Sequence, residues 1–293
     1  MVVSSVPATS RVRAEVNYVR NPRHEGAEPL TFVAEAERLS TMQTLPGRSV
    51  WIHDVRGLDS SLDREGFVLV EHASGVPDFE AIQQDPEIDQ LYVDEITQLL
   101  VEVTGAARAI VPGSAKKRYG ESETEKLAKL REDRAGHVTP ARYPHRDVTD
   151  DSGRAQAAVI AGPVPGLRLE DYSRWALYNV WRSIRQPPQD FPLAVCDART
   201  VDPVDGVTVV AVTQVPRVTD DIRHDTTGYL YNPEHRWCYF RDMTPDEALI
   251  FKTHDTDPTR AHGVPHTAFT DPTCPSGTPT RASVEIRGLA LFR

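Results

Sequence analysis

The stretch Tyr143-Pro144-His145-Arg146-Asp147-Val148-Thr149 sets a histidine and an aspartate two positions apart. Pro144 drives Tyr143 toward an extended conformation, and in an extended strand the side chains at i and i+2 leave the same face. His145 and Asp147 would then present one nitrogen and one oxygen to a common point. A second histidine from elsewhere would complete a facial triad, the ligand set of mononuclear non-haem iron(II), which leaves positions open for substrate and dioxygen. Alone, the pair is a weak signal. Ten histidines and 43 acidic residues in 293 positions give roughly one or two such pairs by chance, and a surface strand with a solvated Asp is the bland alternative.

Support comes from downstream. His266, in Val264-Pro265-His266-Thr267-Ala268-Phe269, follows a proline among apolar side chains, an unusual setting for a solvated imidazole. His254, in Lys252-Thr253-His254-Asp255, is its main rival as third ligand. His262 lies four residues before His266, but Gly263 and Pro265 argue against a chelating helix. His235, before Trp237, reads as structural. Further on, Arg281-Ala282-Ser283 opens the final strand, and the two-residue period puts Arg281 and Ser283 on one face. A guanidinium fork with a hydroxyl beside it suits a carboxylate. Asn179 and Arg182 are polar in an otherwise apolar strand-like run. Contact with cosubstrate or substrate and a buried hydrogen-bonding role weigh about equally for them. Tyr143, Trp181, Trp237 and Tyr239 read mainly as core packing.

Short strands must position these residues. Val12 to Val19, Arg48 to Val55 and Gly66 to His72 alternate as half-buried strands do. Asp78 to Thr104 is the best helical stretch, with Ile88, Leu91, Ile96, Leu99 and Leu100 at three- and four-residue spacing and Pro86 marking a start inside it. Residues 113–140 are basic, then almost wholly charged, and read as a surface insertion with a short exposed helix over Glu121 to Arg134, more a solvated loop than a lid. Beyond 140, the segments Tyr172 to Ile184, Val207 to Val215, Arg236 to Phe240, Ala248 to Lys252 and Val284 to Phe292 are strand-like and separated by turn residues, the pattern of a sandwich or jelly roll. The expectation is one mainly β domain with flanking helices (α+β) over residues 1–293. Residues 1–112 would pack strands and a helix on the core, and 141–293 would form the iron-binding β-core.

Bulk properties narrow the function. The net charge of −10 lacks the basic balance of proteins that neutralise nucleic-acid phosphates. Three widely spaced cysteines, Cys196, Cys238 and Cys274, with no CxxC, argue against cysteine-type zinc and a disulfide framework. No apolar run approaches a membrane span, and neither a GxGxxG loop nor a P-loop occurs. A soluble, reduced, cytoplasmic protein acting on a small molecule, with neither nucleic acid nor membrane as partner, is the expectation.

The order His-x-Asp, long gap, His, short gap, Arg-x-Ser resembles 2-oxoglutarate-dependent iron oxygenases. From about residue 140 onward the chain resembles the non-haem iron oxygenases of secondary metabolism typified by the cephamycin 7α-hydroxylase component and the aspergillic-acid-pathway hydroxylase/desaturase. The matching stretches include Tyr178-Asn179-Val180-Trp181-Arg182, Pro192 to Asp197, His235 to Phe240, Pro265 to Pro272 and Arg281 to Arg287. The resemblance implies a double-stranded β-helix (jelly-roll, cupin-like) core, with iron(II), 2-oxoglutarate and dioxygen as reactants. It favours His266 over His254 as distal ligand and Arg281 as anchor for the 2-oxoglutarate carboxylate, with Ser283, Asn179 and Arg182 beside it. The implied activity is hydroxylation or desaturation of a natural-product intermediate, such as a β-lactam or amino-acid-derived scaffold. The protein partners it leaves open are another tailoring enzyme or a second copy. Where Ala282 stands the family usually has an acidic residue, but that position points away from Arg281 and Ser283. The rivals are an iron oxygenase that needs no 2-oxoglutarate, a zinc hydrolase, for which no HExxH is present, and a non-catalytic jelly-roll binding protein.

Overall fold

The computed structural model describes residues 10–21, 30–33, 42–120, 140–213 and 222–293. In chain order they form β1 (Arg11–Val16), β2 (Leu30–Val33), β3 (Arg48–Asp54), β4 (Phe67–Glu71), α1 (Pro86–Thr104), β5 (Arg108–Ile110) and β6 (Lys116–Tyr119). Then follow β7 (His145–Arg146), α2 (Asp150–Ala161), β8 (Arg174–Ser183), β9 (Leu193–Cys196), β10 (Gly206–Thr213) and β11 (Ile222–Tyr229). The chain ends with β12 (Trp237–Tyr239), β13 (Glu247–Asp255), β14 (His266–Ala268) and β15 (Ala282–Phe292).

The strands make two sheets. A nine-stranded sheet runs β1-β3-β12-β9-β14-β7-β11-β10-β2, and a six-stranded sheet runs β4-β13-β8-β15-β5, with β6 on β15. Together they form the double-stranded β-helix. β1 and β3 extend the larger sheet and β4 edges the smaller one, so the N-terminal strands share the sheets of the rest.

Strand alternation decides which side chains meet between the sheets. On β8, Trp181 joins Val195, Leu249 and Phe251 in the inner core, while Ala176, Tyr178 and Val180 face outward against α1. On β15, Val284, Ile286 and Ala290 face α1, which leaves Ser283, Arg287 and Leu289 on the inner face. α1 covers the outside of the smaller sheet. It starts where the Asp85 carboxylate accepts the Glu87 amide at Pro86, and stops at Gly105, whose φ of 69° is left-handed. Its buried stripe is Tyr92, Ile96, Leu99 and Leu100, each side chain contributing about 1.5–3 kcal/mol on burial.

One reading of the sequence needs correction. Lys116–Tyr119 is strand β6, paired with Ala282 to Glu285 of β15, not part of a loop; Lys117 and Tyr119 are buried and the strand is completed by pairing, which composition does not reveal. The helix expected over Glu121 to Arg134 lies outside the described residues. The sequence reading also missed α2. Thr149 and Ser152 form a reciprocal capping box at its start, and Ala157, Ile160 and Ala161 pack on Leu177, Leu289 and Leu291 at one end of the inner face. Among the described residues no helix is long and apolar enough to cross a membrane.

α1 approaches β15 closely because position 288 is glycine. A side chain there would run into Leu100 and come within 3.1 Å of Val111. Gly288→Ala is expected to destabilise the fold by about 1–3 kcal/mol through overpacking. Urea unfolding monitored by tryptophan fluorescence measures this, and an unchanged midpoint would refute the close approach.

Candidate metal centre

β7 and β14 are adjacent antiparallel strands, and His145 and His266 stand directly opposite each other in their register. The imidazole centroids are 4.3 Å apart. Each ring uses Nδ1 on a nearby backbone carbonyl, His145 on Tyr143 at 2.9 Å and His266 on Val264 at 3.3 Å. Those bonds fix the Nδ1–H tautomer and turn both Nε2 lone pairs inward. Asp147 follows β7 directly. Its Oδ1 is 3.8 Å from His145 Nε2 and its Oδ2 is 3.9 Å from His266 Nε2. Donor atoms of the three residues lie within 4.8 Å of one another, the spacing of side chains that could share one ion.

The smaller sheet holds the carboxylate. Asn179 of β8 donates to Asp147 Oδ2 at 2.6 Å, and Arg287 of β15 pairs with the same oxygen at 2.7 Å. Asn179 and Arg287 are register partners, and Arg287 Nε donates to Asn179 Oδ1 at 2.9 Å. Gln156 of α2 accepts from Arg287 at 3.0 Å. Oδ2 is thus committed to protein donors, while Oδ1 faces His145. Burial alone would raise the Asp147 pKa; Arg287, the two histidines and the Asn179 bond outweigh it and hold the carboxyl well below the usual range. Burial, reinforced by His266, lowers His145 to about 4, and burial lowers His266 as well. At neutral pH the cluster therefore offers two neutral imidazoles and one carboxylate, the donor set that non-haem iron(II) takes.

Arg281 lies immediately before β15 and is 2% exposed. Its Nε donates to Ser283 Oγ at 3.1 Å and its Nη1 to the Phe191 carbonyl at 3.1 Å, and its guanidinium lies 5.0 Å from the Trp181 ring centroid. Among the described residues no carboxylate lies within ion-pairing distance of it. Burial, and then the charge of Arg118, push it down to about 9. A buried guanidinium without a carboxylate is costly unless an anion joins it, so this position fits a carboxylate ligand.

The structure brings His145, Asp147, His266 and Asn179 together and keeps Arg281 beside Ser283. It does not bring Arg182 to the cluster. Arg182 is an odd number of residues from Asn179 and leaves the opposite face of β8, where it donates to the His72 carbonyl at 2.7 Å beneath α1. His235 bonds Tyr18 Oη at 3.2 Å and Asp205 at 3.1 Å, away from the centre. His254 joins a different group, with Asp150 and His262. Neither Arg287 as the partner of Asp147 nor Gln156 behind it was expected from the sequence. The two-residue period of Arg281, Ser283, Glu285 and Arg287 could have placed Arg287 on the inner face; nothing local could have placed Gln156.

A family model described as an oxidoreductase/YMDC permease-like domain matches residues 16–291. The chain is 32% identical to a hydroxylase/desaturase of Cercospora beticola over 93% of its own length and 84% of the relative's. It is 27% identical to an alpha-ketoglutarate-dependent dioxygenase of a fungal species over 84% of both chains. The fold also matches that of an iron and alpha-ketoglutarate-dependent endoperoxidase, with a TM-score of 0.81 at 24% identity, covering 98% of this chain and 99% of the other.

Removing the Arg287 charge should weaken metal binding before it affects the fold. Arg287→Met is expected to lower Mn²⁺ affinity about 10- to 100-fold, the usual effect of losing a partner of a metal ligand, with partial recovery in Arg287→Lys. Without the guanidinium, burial raises Asp147, so the variant should lose metal at a higher pH than wild type. Wild-type binding should persist well below pH 6.5, the ordinary histidine value, since His145 is held near 4. Electron paramagnetic resonance of Mn²⁺ against pH reads both effects; superimposable profiles would exclude this role for Arg287.

Proposed function

We propose an activity from the premise that the chain belongs to the oxidoreductase/YMDC permease-like family: it is an iron(II)- and 2-oxoglutarate-dependent dioxygenase that hydroxylates or desaturates a small organic molecule in secondary metabolism. The observation that carries this reading is the pairing of two sites between the same sheets, an inward His-His-Asp set and a buried guanidinium without a carboxylate. The names of the relatives, a hydroxylase/desaturase and an alpha-ketoglutarate-dependent dioxygenase, support it.

In this reading His145, Asp147 and His266 would hold the iron, and Arg281 with Ser283 would bind the distal carboxylate of 2-oxoglutarate. Bound there, the two would supply, with dioxygen, the power to remove hydrogen from an unactivated C–H bond, 2-oxoglutarate leaving as succinate and carbon dioxide. The protein's own contribution is positional. The Tyr143 and Val264 carbonyls fix the imidazole tautomers. Asn179 and Arg287 keep Asp147 ionised and aimed. Trp181, against Arg281, gives the carboxylate site an apolar wall that excludes water and strengthens the ion pair.

His145→Ala, Asp147→Ala and His266→Ala should each lose iron and turnover, whereas His254→Ala should keep iron. Arg281→Ala should keep iron and lose about 2–5 kcal/mol of cosubstrate binding, raising the 2-oxoglutarate requirement about 30- to several-thousand-fold. Arg281→Lys should recover only part of the loss, since an ammonium lacks the planar fork. Succinate formation against 2-oxoglutarate concentration, with iron measured in parallel, tests the set. Oxygen uptake by wild type without 2-oxoglutarate would refute the cosubstrate, and iron loss in His254→Ala alone would move the distal ligand.

A further inference from the structure

A second group of donor atoms lies outside the candidate centre and shares no residue with it. A ring nitrogen each of His254 and His262 and a carboxylate oxygen of Asp150 lie within 4.8 Å of one another. Three segments supply them: β13, the connection from β13 to β14, and the first turn of α2. We propose that this group is a second divalent-cation site, of zinc type, that fastens the start of α2 to the β13–β14 connection.

His254 carries the argument. It is 1% exposed, yet its Nδ1 has no hydrogen-bond partner. Buried polar groups are nearly always satisfied, so a buried ring that carries an orphaned nitrogen and stands beside two further donors points to a missing ligand. The ring is placed with care. A β-bulge between Lys252 and His254 sets His254 opposite Leu177, and Trp175 stacks on it at 5.0 Å. On α2, position 153 is glycine, where a side chain would lie 3.1 Å from Nδ1. Burial, and then the neighbouring His262, lower its pKa to about 4, so its lone pair is available at neutral pH.

The other two donors complete a site with an entrance. His262 Nε2 and Asp150 Oδ1 are bonded at 2.8 Å, with side chains 39% and 57% exposed. An incoming cation would displace this bond, with His262 taking its Nδ1–H tautomer and turning the Nε2 lone pair to the metal. Arg146 also bonds Asp150 Oδ1, at 3.0 Å, which leaves Oδ2 for the metal. Two imidazoles, one carboxylate and a water make the tetrahedral set that zinc prefers. Magnesium and calcium favour sets built of oxygen.

The test is equilibrium dialysis of metal-free, full-length protein against Zn²⁺, with bound metal counted by mass spectrometry. Zinc exceeds iron(II) in affinity for nitrogen and oxygen donors, so it should fill both sites. About two zinc ions per chain are expected for wild type, and about one for either His262→Ala or His145→Ala. His262 is on an exposed connection, so its loss should spare the fold. In the His145→Ala background zinc should also raise the melting temperature, and in His145→Ala/His262→Ala it should not. A wild type whose single zinc is lost in His262→Ala would support this site while counting against the candidate iron centre. No zinc in His145→Ala, or undiminished zinc in His262→Ala, would overturn the proposal.

Discussion

The ion pair between Arg287 and Asp147 is the interaction on which the site's geometry depends. Asp147 follows a strand of only two residues, so its own backbone does little to aim it. The aim comes from across the interior, where Arg287 and Asn179 seize one carboxylate oxygen. Because those two residues are register partners on neighbouring strands, they arrive as one preformed unit. Gln156 ties the same guanidinium to α2. One side chain thereby joins the larger sheet, the smaller sheet and the helix at one end of the interior. With Arg287 23% and Asp147 16% exposed, water screens the pair in part, so removing one member costs less than the about 3–5 kcal/mol of a fully buried pair.

Strand geometry explains why the histidines can converge with Asp147. Cross-strand neighbours stand about 5 Å apart, so placing His145 and His266 opposite each other across β7 and β14 brings their rings together without any special loop. The Nδ1 bonds to the carbonyls two residues back then orient both rings alike. A short strand is enough, because each histidine needs only one correct partner position.

The same periodicity defines what could be read from the sequence. The i, i+2 spacing of His145 and Asp147 and of Arg281 and Ser283 was legible, as was α1, whose Asp85, Pro86 and Gly105 are explicit start and stop signals. Arg182 was grouped with Asn179 although their spacing is odd, and period two separates them across the sheet. β6 was hidden because Lys-Lys-Arg-Tyr has the composition of a loop; its strand character comes from pairing with β15. In α2, Asp150, Asp151, Ser152 and Gly153 look like a turn, and the capping box is recognisable only once the Ala-rich run behind them is seen as a helix. The facing of His254 depends on the bulge after Lys252, a backbone event with no clear residue signature.

Charge balance explains why a cation and a dianion belong together in the interior proposed here. Asp147 is matched by Arg287, and the two histidines are kept neutral by burial. That leaves Arg281 without an ion-pair partner among the described residues, beside Arg118, whose charge acts on both histidines and on Arg281 and is offset at Arg281 only in part by Glu285 and Asp190. A divalent cation alone would add to this positive charge. On the proposed reading, 2-oxoglutarate would bring two negative charges, one to the metal and one to Arg281, and its arrival would offset both at once. Each ligand would improve the electrostatic setting of the other, a favourable (negative) coupling free energy that is reciprocal by linkage. On that reading the guanidinium, held in place by Ser283, Phe191 and Trp181 rather than by an ion-pair partner, would bias the interior toward the loaded state.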